Sequence, residues 1–153
     1  LEKKGFTAKD FKIYHPGGKL GQQLMTVSEI MHQGEQLPVA SENVSLPDAI
    51  KIINAKGFGC IALINDQGVL SGIITDGDIR RKLSADIMTK TAKDIMSRTP
   101  KTVATDTLVA EAMAIMNDLK NTFRKITSLL VVDSAGKPVG LLHIHDCLRA
   151  GFA

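Results

Sequence analysis

The sequence predicts an α/β (α+β) fold built from two βαββα units. The first observation behind this is a self-similarity of about 65 residues, the mark of a duplicated supersecondary unit. Gly72-Ile-Ile-Thr-Asp-Gly-Asp-Ile-Arg-Arg81 recurs as Gly140-Leu-Leu-His-Ile-His-Asp-Cys-Leu-Arg149, with Gly140 for Gly72, His143 for Thr75 and Asp146 for Asp78. The second is that the flanks repeat too. Asp66–Gly72 matches Asp133–Gly140, and Ile30-Met31 matches Ile95-Met96. The third is that, inside each copy, the apolar pattern passes from continuous strand-like runs to helical spacing and back.

The elements follow in order. Phe6–Tyr14 reads as a short helix with a cap at Thr7, broken by Pro16-Gly17-Gly18. The opening Leu1 suggests a piece of a longer chain, so this stretch is expected to lead in from an upstream domain. Val27–Met31 is a short helical lead-in and Leu37–Val39 a short strand. Ser45 caps a helix, with Asp48 at the fourth box position and Pro47 in the first turn. Leu46, Ala49, Ile50 and Ile53 form its buried face, and Gly57 stands where a helix ends in the left-handed conformation. Cys60–Ile64 has so little polarity that it predicts a strand central in a sheet. Asn65–Gly68 is a turn, Val69–Ile74 the return strand, and Asp76/Gly77 start a helix to Leu83.

Ser84–Thr91 reads as a polar linker. The second unit repeats the order: Lys93–Met96 lead-in, Thr102–Ala104 strand, a helix capped by Asp106 or Thr107 with Val109, Ala112, Met113 and Met116 buried, strand Ile126–Val132, turn Asp133–Gly136, strand Pro138–Leu142 and helix Ile144–Ala150. Neither sheet can cover both its faces alone. The units are therefore expected to pack sheet to sheet about a pseudo-twofold axis, helices outside.

Composition limits the function. In 153 residues, 44% are hydrophobic, enough for a real core, and with no tryptophan it must be aliphatic. A net charge of +3 without a basic stripe speaks against nucleic acid as a partner. No apolar run reaches membrane-span length. Cys60 and Cys147 form no metal motif; reduced thiols and a cytoplasmic setting are the expectation, with no metal and no required cofactor.

The chemistry concentrates in the strand–turn–helix at Thr75. Thr75 and Asp78 are spaced for a capping box. The Thr hydroxyl can also meet a phosphate, the Asp carboxylate a ribose diol, and Arg80 and Arg81 follow within a turn. A capped helix with two solvated arginines is the structural alternative. At the second copy, His143 and His145 either meet a carboxylate or phosphate, or one is a buried, hydrogen-bonded imidazole. Asp146 is the counterpart of Asp78.

Two copies of hydrophobic strand, Asp-containing turn, Gly-h-h-Thr-x-x-Asp and helix resemble a tandem pair of cystathionine-β-synthase (CBS) domains, a Bateman module. The segments Gly5–Phe11, Tyr14-His-Pro-Gly-Gly-Lys-Leu-Gly21, Ile30–Glu35, Thr75–Arg81 and His145–Gly151 are similar to the C-terminal part of bacterial D-arabinose-5-phosphate isomerases. Those interconvert ribulose 5-phosphate and arabinose 5-phosphate on the route to Kdo, a sugar of lipopolysaccharide and some capsules. The resemblance implies 1–24 as the tail of an upstream sugar-isomerase (SIS) domain, 25–90 as CBS domain 1 and 91–153 as CBS domain 2. It implies His15 as a catalytic position whose partner lysine and glutamates lie upstream, so the chain alone is expected to be inactive. It also implies a nucleotide cleft, with Thr75 on phosphate, Asp78 and Asp146 on ribose, and Cys60, Ile61, Thr102, Thr127 and Ser128 in the wall. The expected effector is CMP-Kdo or an adenine nucleotide (AMP or ATP). Both helix starts are expected to face one inter-repeat groove, where CMP-Kdo would give His143 a carboxylate partner and bind better as that imidazole protonates. Further expectations are a homodimer through the CBS pairs and a tetrameric parent enzyme. A ligand-free oligomerisation module is the alternative.

Overall fold

The structure is a computed structural model, and it describes residues 19–118 and 126–152. After α1 (Lys19–Leu24), the first unit runs β1 (Val39–Ser41), α2 (Leu46–Lys56), β2 (Cys60–Ile64), β3 (Leu70–Thr75) and α3 (Asp76–Arg81). A short helix α4 (Ala92–Ile95) precedes the second unit: β4 (Thr102–Ala104), α5 (Val109–Met116), β5 (Ser128–Val132), β6 (Pro138–His143) and α6 (Ile144–Arg149). Each unit is the expected βαββα. Each makes a three-stranded sheet with its middle strand parallel to the first and antiparallel to the last.

The local signals act as their chemistry requires. Ser45 Oγ accepts from the Asp48 amide at 3.2 Å, and α2 stops at Gly57, whose φ of +80° suits a residue without a Cβ. In the second unit the expected cap is corrected. Thr107 Oγ1 instead accepts from the Ala104 amide at 3.1 Å. Leu108 takes the cap position, and Glu111 reaches back to its amide at 3.1 Å. Leucine has no acceptor, so only half a capping box exists there. The first strand starts at Val39 rather than Leu37, because Pro38 has a carbonyl but no N–H to give the ladder. The 84–91 linker is not wholly polar: Ile87 is buried at 5% exposure in the first core.

Both middle strands are buried on both faces, and alternate residues divide between them. In β2, Ile61 and Leu63 point to the helices, joining Leu46, Ile53 and Ile74. Cys60 and Ala62 point the other way and meet Leu130 of β5 and Leu141 of β6. In β5, Leu129 and Val131 join Val109, Met113 and Met116 on the helix side. The two sheets thus share a thin apolar layer, and each has its own helix-covered core. Each large aliphatic side chain removed from water in this way contributes roughly 1.5–3 kcal/mol.

The lead-in segments cross over. Val27 and Met31 pack in the second core, and His32 bridges to Leu141 in β6. Ala92, Ile95 and Met96 pack in the first core, and Ser97 bridges to Ile73 in β3. The close approach needs glycines. A Cβ on Gly72 would stand 2.5 Å from Met96 Sδ and 2.8 Å from the Ser97 carbonyl oxygen, whereas the three atoms nearest to one on Gly140 all belong to the Met31 side chain. Methionine can change rotamer; a bridged backbone carbonyl cannot. Gly72→Ala should therefore cost about 1–3 kcal/mol, the scale of overpacking, and more than Gly140→Ala. Urea unfolding midpoints of the two variants check this; an equal or reversed order would show that the crossovers are not held by backbone fit.

Candidate functional site

Two equivalent places follow from the duplication, one at the start of α3 and one at the start of α6. Their backbones match. Asp76 N donates to the Gly59 carbonyl at 3.0 Å, and Ile144 N to the Thr127 carbonyl at 2.8 Å. Thr75 N donates to Asp78 Oδ2, and His143 N to Asp146 Oδ2, each at 2.9 Å. Arg81 and Arg149 each reach back to the aspartate of their own helix.

The first place opens into a cavity of about 530 Å³. Its floor is the start of α3, with Thr75, Asp76, Gly77 and Asp78, and Arg80 and Arg81 stand at its edge. Its walls are Phe58–Cys60 before and within β2, Ile73 from β3, Ile126–Ser128 before and within β5, and Ser97 with Thr99–Lys101 from the crossing segment. A polar floor with several cations faces apolar walls formed by Phe58, Ile73 and Ile126. Asp78 is both a cap and a cavity residue: its Oδ2 holds the Thr75 amide, and its Oδ1 takes Arg81 Nη2 at 2.6 Å. Arg81 lies over Gly77, where a Cβ would come within 2.9 Å of its Nη1. Burial pushes the Cys60 thiol up to about 12, so it is a protonated wall group and not a nucleophile.

The second place gathers three imidazoles. His32 Nε2 donates to Asp146 Oδ1 at 2.9 Å, its Nδ1 pairs with Gln36 Oε1 at 2.9 Å, and its ring lies 4.7 Å from that of Phe58. Phe58 stands 6.3 Å from His143, whose ring is 4.6 Å from that of His145. Asp146 is buried at 6% exposure and also takes Arg149 Nη2. Its charge is thus compensated from three sides, as a buried carboxylate requires.

Of the sequence-predicted residues, Thr75, Asp78, Arg80, Arg81, Cys60, Thr127 and Ser128 come together on the cavity. Ile61 does not: it is fully buried on the helix side of β2. Thr102, in β4, is not among the lining residues. His143, His145 and Asp146 are not among the residues lining that cavity; they stand together at the start of α6. His143 is corrected as a cationic partner. Its Nδ1 accepts from the His145 amide at 3.0 Å, and burial, then His145, push its pKa below the ordinary value. His15 lies outside the described residues. Phe58, Asp76, Ser97, Lys101 and Ile126 were not anticipated, nor was His32. Repeat alignment carried the signal: Ser97 and His32 both follow the Ile-Met pair, and Phe58 and Ile126 precede the middle strands by the same step.

The lowered His143 pKa has a definite sign. The unfolded imidazole binds its proton more tightly than the native one, so this contribution to stability is present above the ordinary value of 6.5 and lost as pH falls toward the depressed native value. Acidification from pH 7.5 to 5.5 should lower the urea midpoint of the wild type more than that of His143→Thr. Equal decreases would contradict a neutral, hydrogen-bonded His143.

A family model described as CBS domain matches residues 27–85 and 92–153. The arabinose 5-phosphate isomerase KdsD of Pseudomonas aeruginosa is 44% identical over 99% of this chain and 46% of its own length. The KdsD of Escherichia coli K12 is 38% identical over 99% of this chain and 45% of its own. The chain spans less than half the length of these curated relatives. Among solved structures, CBSX2 from Arabidopsis thaliana aligns with TM-score 0.69 at 27% identity, covering 82% of this chain and 93% of that one. CBSX2 in complex with AMP aligns with TM-score 0.68 at 27% identity, covering 82% and 95%. The CBS domain pair of protein MJ0100, in complex with 5′-methylthioadenosine and S-adenosyl-L-methionine, aligns with TM-score 0.70 at 27% identity, covering 82% and 94%. Two matched copies, covering most of the residues, mean that this chain belongs to the CBS-domain family.

Proposed function

We propose that the chain is the nucleotide-sensing regulatory module of a D-arabinose-5-phosphate isomerase, and that the cavity at Thr75 is its effector site. The observation that carries this is the cavity itself, whose lining brings hydroxyls, the carboxylates of Asp76 and Asp78 and the cations Arg80, Arg81 and Lys101 together with the apolar Phe58, Ile73 and Ile126. A nucleotide matches that division. Its base suits Phe58, Ile73 and Ile126; its ribose hydroxyls can donate to Asp78; its phosphate suits Thr75, Arg80, Arg81 and Lys101. Arg81 neutralises Asp78 in the free protein and lies close enough to the same opening to share itself with an incoming anion. Structural neighbours solved with AMP and with adenosyl ligands support the reading. The curated relatives support the isomerase as parent, with catalysis in the part of those proteins that this chain does not span. In this reading residues 1–24 end a SIS domain, 25–90 and 91–153 are the two CBS domains, the setting is cytoplasmic, and Leu83 and Met88, at 66% and 54% exposure, supply apolar surface for a homodimer. Among the described residues no helix is long and apolar enough to cross a membrane.

AMP and CMP-Kdo share the phosphate and ribose that the polar floor suits, so both are titrated calorimetrically. The Asp78→Ala variant should bind the favoured nucleotide about 1–3 kcal/mol more weakly, the scale of losing hydrogen bonds to a charged group. No heat with either at millimolar concentration would leave the ligand-free oligomerisation module as the better reading. The isolated chain should not turn over ribulose 5-phosphate, since one histidine cannot supply both the acid and the base that aldose–ketose isomerisation needs. Turnover above that of a His15→Ala control would refute the placement of catalysis elsewhere.

A further inference from the structure

The duplication gives the Thr75 cavity a twin, and the structure shows what became of it. The three small residues of the first place, Ser97, Thr75 and Gly77, are replaced by His32, His143 and His145 in the second. Three rings thus stand where the first place has small side chains. His32 takes the carboxylate oxygen of Asp146, and its ring tilts against Phe58, while the ring of half-buried His143 lies 4.6 Å from that of exposed His145. The contrast between the aspartates is direct: the Asp78 side chain keeps 16% exposure on an open cavity, whereas that of Asp146 keeps 5% and is ringed by donors. Leu148 stands where the first half has Arg80, so the twin also lacks one cation.

We infer that this chain holds one nucleotide, at the Thr75 side, and that its pseudo-symmetric second site is closed by the chain's own imidazoles, with His32 as the plug. The inference rests on the nucleotide reading of the first cavity. Closure follows from competition for Asp146. A ligand hydroxyl entering the twin would have to displace the His32 Nε2 bond and part the rings of His32 and Phe58. Nothing comparable blocks Asp78, whose cavity-side partner Arg81 is itself half-exposed and free to share.

Equilibrium dialysis of the intact chain with AMP at pH 7.5, carried to saturation, measures the stoichiometry. One AMP per chain is expected, with Asp78→Ala weakening that single event about tenfold or more. Exchanging the plug for the first-half residues, His32→Ser with His143→Thr and His145→Gly, should raise the count to two. Two AMP bound by the wild type overturns the inference and leaves the nucleotide reading standing, whereas one retained at unchanged affinity by Asp78→Ala overturns both the inference and the placement of the nucleotide at Thr75. No binding by the wild type, either of AMP or of CMP-Kdo dialysed in its place, overturns the nucleotide reading and the inference with it. A folded triple variant that still binds one AMP contradicts closure by these rings.

Discussion

Burial of the two middle strands on both faces is the constraint from which the rest of this structure descends. Cys60 and Ala62 lie on the face turned away from the helix-side core; among the described residues their buried neighbours there are Leu130 and Leu141 of the other sheet. The two units are therefore halves of one object. The packing leaves an opening where the β2 and β5 entrances, the start of α3 and the crossing segment at Ser97 converge. The crossovers at Met31 and Met96 tighten this arrangement, each methionine lying over a glycine of the opposite sheet. A side chain at Gly72 would push the crossing segment at Ser97 off the sheet and so distort the wall of the opening.

The duplicated backbone offers the same cap geometry twice, and side-chain divergence alone decides what each copy does. At Asp78 the box is satisfied with one oxygen, and the other faces the cavity through Arg81. At Asp146 the same box is satisfied, but the spare oxygen is spent on His32 and Arg149. Capping and ligand binding are therefore not alternatives at Asp78, since one carboxylate has two oxygens for two tasks. At Asp146 the second task has been converted into structure. Among the described residues every buried side-chain polar atom has a partner, so this polar cluster carries no unsatisfied cost.

Much of this was legible in the sequence. The two βαββα units, the central strand at Cys60–Ile64 and the Ser45 cap follow from local chemistry that tertiary contacts do not oppose. The Thr75–Asp78 spacing likewise fixes a box whatever surrounds it. The crossovers were not legible, because a segment such as Val27–Met31 shows that it has an apolar face but not which sheet receives it. Ile61 was misplaced among wall residues since alternate positions of a doubly buried strand look alike in sequence; only the cover on each side distinguishes them. The closed second site was hidden for the same reason. His32 lies far along the chain from His143 and Asp146, and only the crossover brings it to them.

The central claim is that ligand recognition belongs to the Thr75 cavity. Backbone amide chemical shifts of the whole chain, followed by two-dimensional NMR during titration with a nucleotide, test it most directly. The account predicts saturable shifts at Gly59, at residues 75–78, at Ser97 and Lys101, and at Thr127, with the amides of residues 143–149 unmoved. Shifts centred on residues 143–149, with Asp76, Gly77 and Asp78 unaffected, would contradict it.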